Sequence, residues 1–336
     1  MIRDEDILLD NARKLVDTHP ELYLQLLRMR TENRDDSRML SIGLEAMDRI
    51  SDDLKVRGEA ALITSCYAGR LGLEDVREKC WLEALRSDTT ATNYMRIKFL
   101  SSDAAKYEEE ISSIVESGLA EINNSKEIYS LRVENEKENR IVLNDLCVML
   151  FFEKRFSDME AVGMPGEGYK GRSAAFMKAG VAFVLLLLSF GDGYSAGMDE
   201  MIIRAMEACG FSKMALCQGI EFNDNKADKK CFLEIFDRWK GTVILSEEEE
   251  LIWIGKLERW VNRIIVGMMQ DINSRDHYGE CAAFIAAFGE VKEDLFEVGA
   301  KDSILRHYKE MYPRRRVFHE ELRRYGNGKK NNSYRF

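Results

Sequence analysis

Along most of the chain apolar residues return every three or four positions, the spacing that lines one face of an α-helix. Ile7, Leu8, Ala12 and Leu15 make one stripe, and after Thr18-His19-Pro20 a second begins with Leu22, Leu24, Leu26 and Leu27. Pro20 falls where the first helical position tolerates proline, with Thr18 or His19 as the capping neighbour, so the two stripes read as a helix hairpin. The same rhythm predicts helices over 38–50, 54–71, 73–85, 91–100 and 104–122. Short links containing Asp, Ser, Asn or Gly suit antiparallel neighbours. Beyond them come a helix over 141–152, a Gly-rich loop over 163–171, an apolar helix over 172–190, a second Gly-rich link and a helix over 198–209. The polar stretch 221–230 reads as a loop. Ser246-Glu247-Glu248-Glu249 matches a capping box, in which hydroxyl and carboxylate satisfy each other's open backbone donors, ahead of a helix over 251–272. Helices over 278–288, 303–312 and 315–325 close the series.

This pattern predicts an all-α protein of stacked antiparallel helix hairpins, either one right-handed superhelix or two helical lobes hinged near 123–140 or 221–230. It divides into N-terminal helical repeats over 1–125, a central region over 126–220 around the apolar helix, a C-terminal helical region over 221–325 and a basic, flexible tail over 326–336.

An internal repeat sharpens the picture. Gly43-Leu44-Glu45-Ala46-Met47 and Trp81-Leu82-Glu83-Ala84-Leu85 lie 38 residues apart at equivalent places in second helices, and Gly72 ends the helix before the second copy. A bend, followed in the second copy by an aromatic three residues before a small alanine, resembles the tetratricopeptide pattern across roughly residues 36–90. The resemblance implies a tetratricopeptide-like α-solenoid whose grooved face takes a peptide or a partner helix. The period exceeds the usual value of about 34, no proline closes either copy, and Arg77 stands where a small residue is expected. In the last third, His277-Tyr278-Gly279-Glu280-Cys281-Ala282-Ala283 followed by Tyr312-Pro313-Arg314-Arg315-Arg316 resembles the helical region trailing the zinc module of bacterial SWIM-type zinc-finger proteins. The module itself, Cys-x-Cys followed by Cys-x-His, is absent, so this resemblance implies neither metal binding nor nucleic-acid binding.

Composition supports the helical reading. Only Pro20, Pro165 and Pro313 occur, far too few for the turns of a sandwich or barrel. The most apolar window, 179–190, is shorter than the roughly 20 residues that span a bilayer, so no membrane segment is expected. The N-terminus opens directly into an amphipathic pattern, without a secretory signal. Seven scattered cysteines lack the spacing of a disulfide framework, and a reducing cytoplasm is expected. The net charge of −10 opposes general affinity for nucleic acid. That charge is polarised: from Pro313 onward eight Arg or Lys face two Glu, a local +6 that leaves −16 elsewhere.

Candidate chemistry is sparse. Gly193-Tyr194-Ser195-Ala196-Gly197 fits the G-x-S-x-G nucleophile elbow, and His277, His307 or His319 follow in hydrolase order, but no series of strands is predicted to carry the elbow. A Gly-Ser helix linker is the simpler reading. The stretch from Gly163 to Ser173 is rich in glycine before a helix, as phosphate loops are, yet Tyr169 occupies the lysine position. His277 and Cys281 share a helical face, but two ligands do not make a metal site. Trp81, Trp239, Trp253 and Trp260 sit at helical spacing and read as core, and the glutamate runs 108–110 and 247–250 read as solvated faces. The feature with most weight is the basic set Arg314, Arg315, Arg316, Arg323, Arg324, Lys329 and Lys330, either a solvated helix end or a patch for an anionic partner. The expected function is non-enzymatic protein binding or scaffolding without metal or cofactor. A nucleic-acid accessory using the arginines, and a serine hydrolase using Ser195, are the alternatives.

Overall fold

Long runs of Leu, Ala, Glu, Lys and Met with few prolines let each segment satisfy its backbone hydrogen bonds locally. The computed structural model describes residues 2–29, 35–124, 138–164, 174–190, 193–211, 225–271, 274–296 and 298–326. Among them the chain is all-α: sixteen helices packed largely against their sequence neighbours, two short 3-10 turns, and no strand beyond a single bridge between Leu54 and Glu138. Two compact units result, Met1–Met149 with Cys209–Asn223, and Leu150–Ala208 with Asp224–Phe336.

The first unit holds α1 (Ile2–Lys14), α2 (Glu21–Arg28), α3 (Asp36–Arg49), α4 (Lys55–Arg70), α5 (Glu74–Ser87), α6 (Ala91–Leu100), α7 (Glu108–Asn124) and most of α8 (Leu143–Phe152), within which the division falls. A 3-10 turn, Ala104–Tyr107, occupies what the periodicity assigns to the start of α7. Asp35 caps α3, its carboxylate accepting from the Ser37 and Arg38 amides at 2.9 and 3.3 Å. Pro20 directly precedes α2, but neither expected neighbour caps it. The Thr18 hydroxyl donates instead to the Leu15 carbonyl, and the His19 ring lies 3.1 Å from Glu21.

The two copies of the repeat are built alike. Ala46 and Ala84 are fully buried. Glu45 accepts hydrogen bonds from Nε and one terminal nitrogen of Arg13, each at 2.7 Å, and Glu83 pairs with Arg57 at 2.7 Å, so each copy is tied to another helix through the same position. Close approach comes from glycine: a Cβ on Gly43 would stand 2.0 Å from the Thr64 hydroxyl oxygen, and one on Gly58 would press on the Ala84 carbonyl at 3.2 Å. Arg77 fits because the facing residue is small. Its side chain runs over Gly69 and its guanidinium lies 4.8 Å from the Trp81 ring centre. At the turn between α4 and α5, Gly72 takes φ +70°, open to glycine at no steric cost.

The second unit holds α9 (Phe156–Gly163), α10 (Ala174–Leu188), α11 (Ala196–Ala208), α12 (Asn225–Lys240), α13 (Glu247–Met269), α14 (Tyr278–Leu295), α15 (Ala300–Met311) and α16 (Arg316–Gly326). Its centre is α14, buried from Cys281 to Val291 and packed by α10, α11, α13, α15 and α16, which is why that stretch is apolar all round apart from Glu290. An aromatic cluster fills the other end: the rings of Phe183 and Trp239 each lie 4.8 Å from Phe151, and the Trp239 indole donates to the Phe152 carbonyl at 2.8 Å. The expected loop over 221–230 is corrected from Asn225 onward, where α12 begins. Lys229, itself buried, pairs with Asp199 at 2.8 Å, and the apolar buried residues of the helix run from Phe232 to Trp239. Residues 221–224 lie outside the described set, as do 165–171 of the Gly-rich loop. α9, unmarked by the periodicity, is held by Phe156 against Trp253 and by an ion pair of Glu160 with Lys256.

Candidate functional site

The end of α13, a 3-10 turn at Ser274–His277, the start of α14 and the start of α16 meet at one place in the second unit. Arg315 locks them. One terminal nitrogen donates to the Ser274 hydroxyl at 2.6 Å and the Tyr278 hydroxyl at 2.5 Å, and the other to the Met269 carbonyl at 3.2 Å. Its guanidinium also lies 5.6 Å from the Tyr278 ring centre. Thus the middle arginine of three is an internal strut.

Its neighbours have the opposite fate. Arg314 and Arg316 are exposed and join Arg275, Asp276, Tyr278 and Val317 around an open cleft of about 690 Å³. Among the described residues Arg275, Arg314 and Arg316 make no ion pair or side-chain hydrogen bond. α16 has no acidic residue in its first turn, so these cations crowd the positive end of its helix dipole, a local repulsion that a bound anion relieves. Asp276 is the one acid on the rim. Glu280, at the start of α14, is already engaged by Lys178 at 2.8 Å and Arg204 at 2.7 Å.

The rest of the basic set does not converge here. Arg323 donates to the His319 carbonyl at 3.3 Å, and Arg324 pairs with Glu321 at 3.4 Å while covering the Tyr325 ring. Lys329 and Lys330 lie outside the described residues.

The other motifs resolve into structural parts. Ser195 is fully buried, its hydroxyl accepting from the Met198 amide at 3.4 Å where α11 begins. Gly197 lets α11 approach α14, since a Cβ there would stand 3.0 Å from the Ala283 carbonyl. His277 ends its 3-10 turn with Glu280 and Asp271 each at 3.8 Å. Cys281 is buried in the core, and burial, reinforced by Glu280, pushes its thiol up to about 12. No group of three or more His, Cys, Asp or Glu side chains among the described residues is placed to hold a metal ion. All four tryptophans are buried. No helix among the described residues is long and apolar enough to cross a membrane.

One constellation escapes the sequence. Lys240, Asp237, Tyr194 and Glu290 line a second cavity of about 240 Å³. The Lys240 amine donates to the Leu186 and Ser189 carbonyls, at 2.9 and 2.5 Å, closing the C-terminal end of α10. Burial pulls its pKa down to about 8, with Asp237 opposing, and burial raises Asp237 in turn. Asp237 and Lys240 share one helix face in the sequence, but the carbonyls that hold Lys240 lie 54 and 51 residues away in the chain.

No family model, no curated protein and no solved structure matches the chain.

Proposed function

We propose that this is a cytoplasmic, non-enzymatic binding protein, tetratricopeptide-like in its first unit, that holds an acidic segment of a protein partner in the arginine cleft of its second unit. The observation that carries the reading is the division of labour among Arg314, Arg315 and Arg316. One guanidinium is spent on making the cleft rigid, and the two beside it, with Arg275, face solvent at the positive end of α16 without a partner among the described residues. A rigid fork of donors suits carboxylates, which guanidinium groups take in bidentate pairs. Stacked helix pairs are commonly used to present such faces to peptides. The described cysteines are not joined in disulfides, which supports a reducing compartment.

The test is fluorescence anisotropy with a labelled glutamate-rich peptide, a lysine-rich control and a single-stranded oligonucleotide. The glutamate-rich peptide is expected to bind, with affinity falling as salt rises, and R314E/R316E to weaken it by about tenfold or more. Failure of the acidic peptide to bind refutes the reading. Tighter binding of the oligonucleotide replaces it with the nucleic-acid alternative.

A further inference from the structure

α13 carries a second exposed face, opposite in charge to the cleft. Glu247, Glu248, Leu251, Ile252 and Gly255 recur along it at the spacing of one helix side, and all are exposed. Leu251 and Ile252 leave 56% and 50% of their surface in solvent, and Ile244, just before the helix, leaves 92%. The turn that bears the glutamates is rigid, because the capping box is fully made: the Ser246 hydroxyl accepts from the Glu249 amide at 3.3 Å, and the Glu249 carboxylate accepts from the Ser246 amide at 2.8 Å. Gly255 is the informative member. Glycine is a poor residue for the middle of a long helix, and a Cβ added here would meet nothing within 4 Å. No packing among the described residues calls for it. A bare stretch of backbone on an outer face suits the close approach of another body.

The fold places the two charges far apart. With 23 residues α13 is about 34 Å long. Its first turn holds Glu247, Glu248, Glu249 and Glu250, and its last residue, Met269, is the one whose carbonyl Arg315 grips. Acid therefore marks one end of a rod and the arginine cleft the other, a separation no side chain spans within one molecule. The outer side of α16 is predominantly of the opposite sign: Arg316, Val317, Arg323 and Arg324 are exposed, with Glu320 the one acid among them and Val317 leaving 48% of its surface in solvent.

We propose that the chain associates with itself head to tail, the outer face at the start of α13 in one copy seated on the start of α16 in the next. Glu247 and Glu248 meet Arg314 and Arg316, and Leu251 and Ile252 cover Val317. The proposal rests on the arginine cleft being the docking place and names its occupant as a second copy. Because the two patches differ, the contact is heterologous, so copies add until a ring closes or a filament continues.

Sedimentation velocity on the full chain, over a concentration series at low and high salt, tests this. The wild type is expected to gain mass with concentration and to lose it in high salt. E247R/E248R and R314E/R316E are each expected to weaken association by about tenfold or more, and an equimolar mixture of the two to restore it, since every contact again joins opposite charges. Gly255→Gln controls for folding: it replaces a poor helix former at an open position, so thermal stability holds or rises while association falls. A wild type that stays monomeric throughout, a charge reversal without effect, or a mixture that fails to associate overturns the proposal. The glutamate-rich peptide assay on E247R/E248R, whose cleft is intact, separates the two readings. Peptide binding beside a monomeric wild type removes the head-to-tail contact and leaves the cleft standing.

Discussion

Arg315→Ala is the perturbation that separates the strut of the cleft from the arginines it presents. The change removes a guanidinium that donates to Ser274, Tyr278 and Met269, and thereby unties α16 from the end of α13 and the start of α14. A hydrogen bond to a charged group contributes about 1.5–3 kcal/mol, but the three share one half-buried side chain and do not add in full, so a loss of about 2–4 kcal/mol is expected. Arg315→Lys keeps the charge and loses the fork, and recovers only part of that loss. Arg314→Ala, exposed and without such contacts, stays within about 0.5 kcal/mol of wild type. Urea unfolding followed by tryptophan fluorescence reads the right part of the molecule, because Trp239, Trp253 and Trp260 belong to the second unit and only Trp81 to the first. If Arg315→Ala costs no more than Arg314→Ala, Arg315 is not the strut and the rigidity attributed to the cleft is wrong.

Two further predictions concern packing and buried charge. Lys240 has a folded pKa of about 8 against 10.5 for a free lysine, so its burial costs stability while the ammonium persists and ceases to cost it as pH rises from 8 to 10.5. A displacement of this size is worth roughly 3 kcal/mol, so wild type should gain about that much on Lys240→Met between those pH values; a difference that is flat with pH, or that falls, contradicts the assignment. Gly43→Ala would drive its Cβ against Thr64, 2.0 Å from the hydroxyl oxygen, and is expected to destabilise the first unit by about 1–3 kcal/mol, with Thr64→Ala in the same chain restoring much of it. Equal stability of the single variant and wild type in chemical denaturation would show that α3 and α4 are not so closely opposed.

Helices are local objects, and most of this architecture was legible for that reason. The period of the apolar residues, the scarcity of proline and the Ser246-to-Glu249 capping box each act within a few residues, and each reappears in space where the spacing predicts it. The same locality explains the one misreading of an element. The stretch 225–230 reads as a loop by its polarity, yet it opens α12, whose apolar residues begin only at Phe232, beyond the reach of a short window. Ser195 carries the letters of a nucleophile elbow, yet the surroundings that would expose a nucleophile are set by the packing of α11 on α14, where the serine is a buried helix cap.

What the sequence determined by itself is therefore the helical character of the chain, its stripes and the excess of positive charge after Pro313. The task of each charge depends on long-range packing. Arg314, Arg315 and Arg316 are chemically identical and adjacent, but the partners of the middle one come from 37, 41 and 46 residues away, and no local pattern encodes them. An arginine turns inward where distant elements bring it enough acceptors to replace the water it loses, and stays in solvent where they do not.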